Sequence, residues 1–321
     1  MIEILKHCGP ARLGKLRCND DIIRTPNFFL NLVKGINLNH DIYLASCDFK
    51  TKKKPVVYDC GSFFQRRKFC EALASKKRKH ERRSYPRSCG TNAKFSGVEI
   101  LPDEHAGLNV PRSIAEAAVR RTVEFAKNYP GQGAVIQGSK YIDLREKCAR
   151  ELEDRPLLVI ANGAKLVKNP RLLVEIVTRV RDTISPNSVL YLPFAPPHMF
   201  YLLAYMGIDL FDSVGCVLKA REKKLITARG FLKLQSLKEL PCSCEICKTR
   251  APFELEFNDI LTHNFNTAVQ VVREIREAIR SDSMRELVEE KASCDAASMV
   301  ILRLLDRDKQ DFLEKYTAVS L

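Results

Sequence analysis

The chain has 321 residues, with 53 Lys and Arg against 39 Asp and Glu, a formal net charge of +14 and a pI of about 9.2. Apolar residues make up 45%, enough for a large core, yet no run of about eighteen apolar residues and no signal pattern is present, which argues against a membrane span and for a soluble, cytoplasmic protein. The twelve cysteines suit a reducing compartment, and the charge favours a polyanionic partner, with nucleic acid first.

In chain order, residues 1–33 read as a small hairpin turned at Gly9-Pro10, with Arg12, Lys15 and Arg17 on its outer face. Residues 41–47 read as a buried strand. Pro55-Val56-Val57-Tyr58 then leads into Asp59-Cys60-Gly61-Ser62, a strand ending in an acidic residue and a turn. Barrel active sites are built at such strand ends, although Asp59 is equally readable as a turn or cap residue. Residues 66–87 are the strongest charge run. Lys76, Lys77, Arg78, Lys79, Arg82, Arg83 and Arg87 cannot enter a core and repel one another unless they meet an anion. A phosphate-backbone contact and a solvated loop are the two readings, and the overall charge favours the first.

From residue 97 strands and helices alternate. Val98–Leu101 is a strand ending at Asp103-Glu104, and Ser113-x-x-Glu116 reads as a capping box opening a helix to about Asn128. Ala134–Ile136 ends at Gln137-Gly138, and Leu157–Ile160 ends at Asn162-Gly163. Asn169 caps a helix with Pro170 at its first position, and Leu173, Ile176, Val177, Val180 and Ile184 form its buried stripe. Val189–Leu192, a helix of about 197–206, and Ile208–Phe211 ending at Asp212 complete the alternation. The rest is helical, over about 264–281, then after a Ser283-x-x-Glu286 cap, then in two amphipathic helices to about 315. Repeated strand–helix units with polar strand ends predict an α/β fold, a (β/α)8 TIM-type barrel whose mouth gathers Asp59, Asp103, Gln137, Asn162, Gly163 and Asp212. No Gly-rich phosphate fingerprint supports the open-sheet alternative.

Cys242, Cys244 and Cys247 lie within six residues, and His263 follows sixteen after the last. Three thiols and an imidazole suit tetrahedral zinc with no open position, hence a structural Zn2+ rather than a catalytic one. The zinc-binding subdomain is placed at about 215–275, followed by C-terminal helices at about 276–321.

Asp59-Cys60-Gly61-Ser62 with Gln65, Asp103-Glu104, Gln137-Gly138, Leu210-Phe211-Asp212-Ser213 and the zinc set together resemble the tRNA-guanine transglycosylase superfamily in its archaeal form, over nearly the whole chain. The resemblance implies a tRNA-modifying transferase. Asp212 would attack the ribose C1′, Asp59 and Asp103 would handle the departing and incoming base, and Gln137, Gly138, Asn162 and Gly163 would hold the base. The family's Gln-Gly-Gly reads Gln137-Gly138-Ser139, its Gly-Gly-Leu-type loop reads Ala161-Asn162-Gly163-Ala164, and one extra residue separates Gly61 from Gln65. NPRLLVEIVTRVRDTI, VLYLPFAPPHMFYLLAYMGIDLFDS and LPDEHAGLNVPRS look closest to the archaeosine-synthase branch. That likeness implies one half of a split synthase acting on 7-cyano-7-deazaguanine at position 15 of tRNA. It would transfer lysine with a second chain carrying the missing motif and PUA domain, ahead of a radical-SAM partner; no PUA domain is read here. The isolated chain is then expected neither to exchange guanine nor to modify the nitrile. Base exchange by an active transglycosylase, and a non-catalytic tRNA-docking subunit, are the alternatives. The sequence leaves a homo-oligomer open.

Overall fold

The computed structural model describes residues 2–18, 21–32, 38–46, 55–59, 99–129, 133–227 and 229–316. Strands β1 (Ile2–Cys8), β2 (Ala11–Cys18) and β3 (Asp21–Thr25) form an antiparallel sheet of their own. Eight parallel strands follow: β4 (Asn27–Asn31), β5 (Tyr43–Ser46), β6 (Val56–Asp59), β7 (Glu99–Ile100), β8 (Ala134–Ile136), β9 (Leu157–Ile160), β10 (Val189–Tyr191) and β11 (Leu210–Asp212). Their order is β7-β6-β5-β4-β11-β10-β9-β8. Backbone bonds from Leu101 to Gly133 (2.9 Å) and from Gly133 to Glu99 (2.8 Å) join the two ends and close the ring. A side chain at Gly133 would press within 3.1–3.3 Å of Leu157 and Glu99, so a residue without Cβ suits this seam.

The strands bury both faces, which is why they read as continuous apolar runs. Phe29, Leu44, Val57, Val135, Val159 and Leu210 point into the barrel. Their neighbours Phe28, Leu30, Ala45, Ile136, Leu158 and Ile160 pack against the helices, following the two-residue period of a strand. The Pro170–Thr183 helix is capped as expected, with the Asn169 side chain accepting from the Leu172 amide, and it buries Leu173, Ile176, Val177 and Val180. Each such side chain is worth about 1.5–3 kcal/mol once removed from water.

Several expectations are corrected. Asn27–Asn31 is a fully buried barrel strand, not part of a hairpin. The first long helix, Arg112–Lys127, has Pro111 at its N-cap and no side-chain cap; Glu116 pairs with Arg112 instead of closing a capping box. Ser283 likewise makes no side-chain cap. Arg12 is not on the surface: only 3% exposed, it grips Asp209 with two bonds of 2.7 Å and also reaches the carbonyls of Pro186 and Ser188. These partners lie just before β10 and β11, so the β1–β3 sheet covers the floor of the barrel, opposite the strand ends that carry the acids. Beyond the barrel come the hairpin β12 (Lys224–Thr227) and β13 (Gly230–Lys233), the short Glu245–Thr249 helix and the long Phe257–Arg280 helix. The helices Met284–Ala292, Ala296–Asp308 and Gln310–Glu314 end the fold. Among the described residues no helix is long and apolar enough to cross a membrane.

Candidate active site and metal centre

Asp212 ends β11 at the mouth and is 1% exposed. One carboxylate oxygen accepts the Tyr191 hydroxyl (2.8 Å) and the Phe194 amide (2.8 Å); the other accepts the Val214 amide (2.9 Å), at the start of the Val214–Arg221 helix. Burial pushes this carboxyl up, and the three donors pull it back. Burial, then Asp212 and Asp59, hold the Tyr191 hydroxyl well above its usual range, so it stays a donor. Asp59 and Tyr191 line the same cavity.

Asp103 is buried and accepts from the Gln137 side-chain amide at 2.6 Å, while the Gln137 carbonyl oxygen has no partner among the described residues. Beneath them lies Arg145, fully buried. It donates to the carbonyls of Ile136 (2.6 Å), Ser139 (3.0 Å) and Ala161 (3.1 Å) and to the Asn162 side chain (3.0 Å). Burial pushes its guanidinium down to about 10, still protonated at neutral pH. Asn162 in turn donates to the Ala106 carbonyl (2.9 Å). One arginine thus ties together the loops after β8 and β9. At Gly163 an added Cβ would fall 2.0 Å from the Pro193 carbonyl oxygen, so the loops after β9 and β10 approach as closely as glycine allows. Ser139, Asn162 and Phe194 adopt left-handed φ of 54°, 67° and 64° around this mouth. Clustered strain of this kind marks functional sites.

These elements enclose a cavity of about 230 Å³ lined by Asp59, Asp103, Asn162, Gly163, Tyr191 and Asp212, with His105, Lys165 and Phe194 also on its wall. It is smaller than the ~300 Å³ at which drug-sized pockets begin, which suits one base or sugar. Of the residues expected here, Gln137 stands behind Asp103, and Gly138 does not line the cavity; it packs against Arg145. Tyr191, Phe194 and Arg145 escape the sequence reading. Tyr191 ends β10 and is set beside β11 only by the strand pairing, which the sequence does not display. Cys60, Gly61, Ser62, Gln65 and the basic run Lys76, Lys77, Arg78, Lys79, Arg82 and Arg83 lie outside the described residues.

The second site assembles as expected. The Cys242, Cys244 and Cys247 sulfurs lie 3.4, 3.5 and 3.2 Å from His263 Nδ1, and all four ligand atoms fall within 4.8 Å of one another. A tetrahedral zinc with ordinary Zn–S and Zn–N bonds needs S···N edges of about 3.5 Å. His263 Nε2 lies 2.9 Å from the Ile226 carbonyl. Donating there leaves Nδ1 as the lone-pair atom facing the thiols. The donor set and its outer support fit zinc.

Residues 96–295 match the family model described as queuine tRNA-ribosyltransferase. The chain is 30% identical to a Methanobrevibacter smithii protein named tRNA-guanine(15) transglycosylase, covering 98% of this chain and 54% of that protein. It is 28% identical to the protein of that name from Methanocaldococcus jannaschii, with 99% and 55% covered, and 27% identical to that from Methanosarcina mazei, with 91% and 67% covered. The chain therefore spans about half the length of the first two relatives.

Proposed function

The chain belongs to the queuine tRNA-ribosyltransferase family, and on that premise we propose that it modifies tRNA by base exchange, as a tRNA-guanine transglycosylase with Asp212 as nucleophile. The observation that carries this is the carboxylate itself, buried, aimed at a base-sized cavity and held by three donors. In the proposed first step an Asp212 oxygen bonds to the ribose C1′ while the C1′–N9 bond breaks, its electron pair leaving with guanine. Asp103 or Asp59 supplies the proton that neutralises the leaving base. An incoming 7-deazaguanine such as 7-cyano-7-deazaguanine, losing its proton to the same acids, then displaces Asp212 from C1′. Tyr191 and the two backbone amides keep Asp212 ionised and oriented; Arg145 and Asn162 fix the loop bearing Gly163 against the base.

The relatives' printed name moves the weight from the synthase-half reading to exchange, and no feature of the site favours lysine transfer over it. A zinc ion on Cys242, Cys244, Cys247 and His263 supplies structure only in this proposal. The run Lys76, Lys77, Arg78, Lys79, Arg82 and Arg83 is proposed to contact tRNA phosphates, and position 15 as the target belongs to the same proposal. The test is labelled guanine entering tRNA. Wild type should incorporate it and Asp212→Asn should not; a wild type that never incorporates, or an Asp212→Asn protein that does, overturns the assignment.

A further inference from the structure

The chain satisfies most of its buried guanidiniums with care. Arg12, Arg145, Arg155 and Arg181 all place both terminal nitrogens on carbonyl or carboxylate oxygens. Arg276 breaks that habit. It is half-buried on the Phe257–Arg280 helix, and its Nη1 is buried without a hydrogen-bond partner among the described residues. Its neighbours make this worse. Arg273, Arg276 and Arg280 share one face of the helix at spacing i, i+3, i+7, and the charge of Arg24 on β3 also acts on Arg276. Burial and the charges of Arg280, Arg24 and Arg273 press the Arg276 guanidinium towards losing its proton, and Asp41 opposes them. Arg280 is bonded to Glu277 at 2.8 Å, and Lys15 stands opposite Arg24 in the β2–β3 ladder. A guanidinium with one nitrogen buried and unpartnered, set among like charges, is costly unless an anion offsets the cluster.

We propose that Arg24, Arg273, Arg276 and Arg280 form a phosphodiester-binding site for the RNA backbone, at the floor edge of the barrel and away from the mouth. The proposal rests on RNA being the substrate. Guanidinium forks match phosphate oxygens in pairs, and the net charge of +14 fits a polyanion rather than an acidic protein segment alone. The 24-residue helix carrying three of the arginines is about 36 Å long. Its second turn bears His263, and it packs against the Val214–Arg221 helix that starts at the mouth. An RNA touching both mouth and arginines must therefore be a folded polymer of that span, not a nucleotide.

The experiment measures binding of an unmodified tRNA transcript to the full chain across a salt series, with a poly-glutamate peptide as competitor. Arg273→Ala/Arg276→Ala and, separately, the exposed Arg24→Ala should weaken binding several-fold and lower the slope of log K against log salt by about 1 for each phosphate no longer held. Arg276→Met, which keeps the buried stem, should not lower the melting temperature, since Nη1 has no partner to lose among the described residues, whereas the same change at a hydrogen-bonded structural arginine would. Arg276→Lys should keep part of the slope. Unchanged slopes with intact wild-type binding overturn this site and leave the exchange reading standing. A wild type that does not bind tRNA overturns both. Poly-glutamate displaced by the substitutions while tRNA binding is untouched reassigns the arginines to an acidic protein and overturns the proposal.

Discussion

Tyr191 and Asp212 meet across adjacent barrel strands, the phenolic hydroxyl donating to the carboxylate at 2.8 Å with both groups buried. This fixes which protonation state the mouth favours. Asp212 must be an anion to attack, and burial holds its pKa above the ordinary carboxylate value. Activity should therefore fall on acidification at a higher pH than for an exposed aspartate.

Tyr191→Phe removes one donor from the anion and should raise that pKa further, so the acid limb of the exchange profile moves to higher pH. A hydrogen bond to a charged group is worth about 1.5–3 kcal/mol, so the acid limb should move up by about one to two pH units. The pH–rate profile of labelled guanine incorporation checks it; an unmoved acid limb would remove Tyr191 from the account.

Asp209 holds Arg12 and stands 3.6 Å from Arg181, all three almost fully buried. Asp209→Asn leaves two guanidiniums without their only carboxylate among the described residues. Loss of one partner from a buried pair costs about 3–5 kcal/mol. Urea unfolding should show a drop of that order; a drop below about 1 kcal/mol, the net worth of an ordinary hydrogen bond, would mean that the carbonyls of Pro186, Ser185 and Ser188 suffice.

Zinc should co-purify at one per chain on Cys242, Cys244, Cys247 and His263. Because such binding is folding free energy, Cys244→Ser or a strong chelator should lower the melting temperature and loosen the β12–β13 hairpin that His263 holds through the Ile226 carbonyl. Elemental analysis and thermal melts read this out, and a metal-free chain with an unchanged melt would refute it.

Arg145→Met keeps most of the side-chain volume and removes the four bonds that tie Ile136, Ser139, Ala161 and Asn162. The Ile136 carbonyl keeps the Ala161 amide, while the Ser139 and Ala161 carbonyls lose their arginine donor, at about 1–3 kcal/mol for each oxygen left buried and unpaired. We expect a large loss of stability together with a raised KM for the incoming base. Crystals of the variant with Asn162 unmoved would argue against its positioning role.

The barrel was legible because strands buried on both faces leave apolar runs, and because Asp59, Asp103 and Asp212 each close one. The zinc set was legible because four ligands at fixed spacing carry their own geometry. What sequence hid was pairing across distance. Arg12 looks like any surface cation until Asp209, 197 positions on, is brought to it. Tyr191 looks like a core aromatic until β10 and β11 lie side by side. Asn27–Asn31 was missed because Phe28-Phe29-Leu30 is too short a run, beside Pro26, to separate from the strands before it.

The floor pairing has a mechanical consequence. Asp209 and Asp212 are separated only by Leu210 and Phe211, a span of about 10 Å in an extended strand. The N-terminal sheet grips the first through Arg12, and in the proposed mechanism the substrate meets the second. Movement of the sheet at Arg12 would then be carried along β11 to the carboxylate that the proposed chemistry uses. Damage far from the mouth, whether by proteolytic nicking of β1–β3 or by a substitution at Arg12, should tilt the nucleophile before it unfolds the barrel. Turnover would fail while the molecule still looks native to circular dichroism.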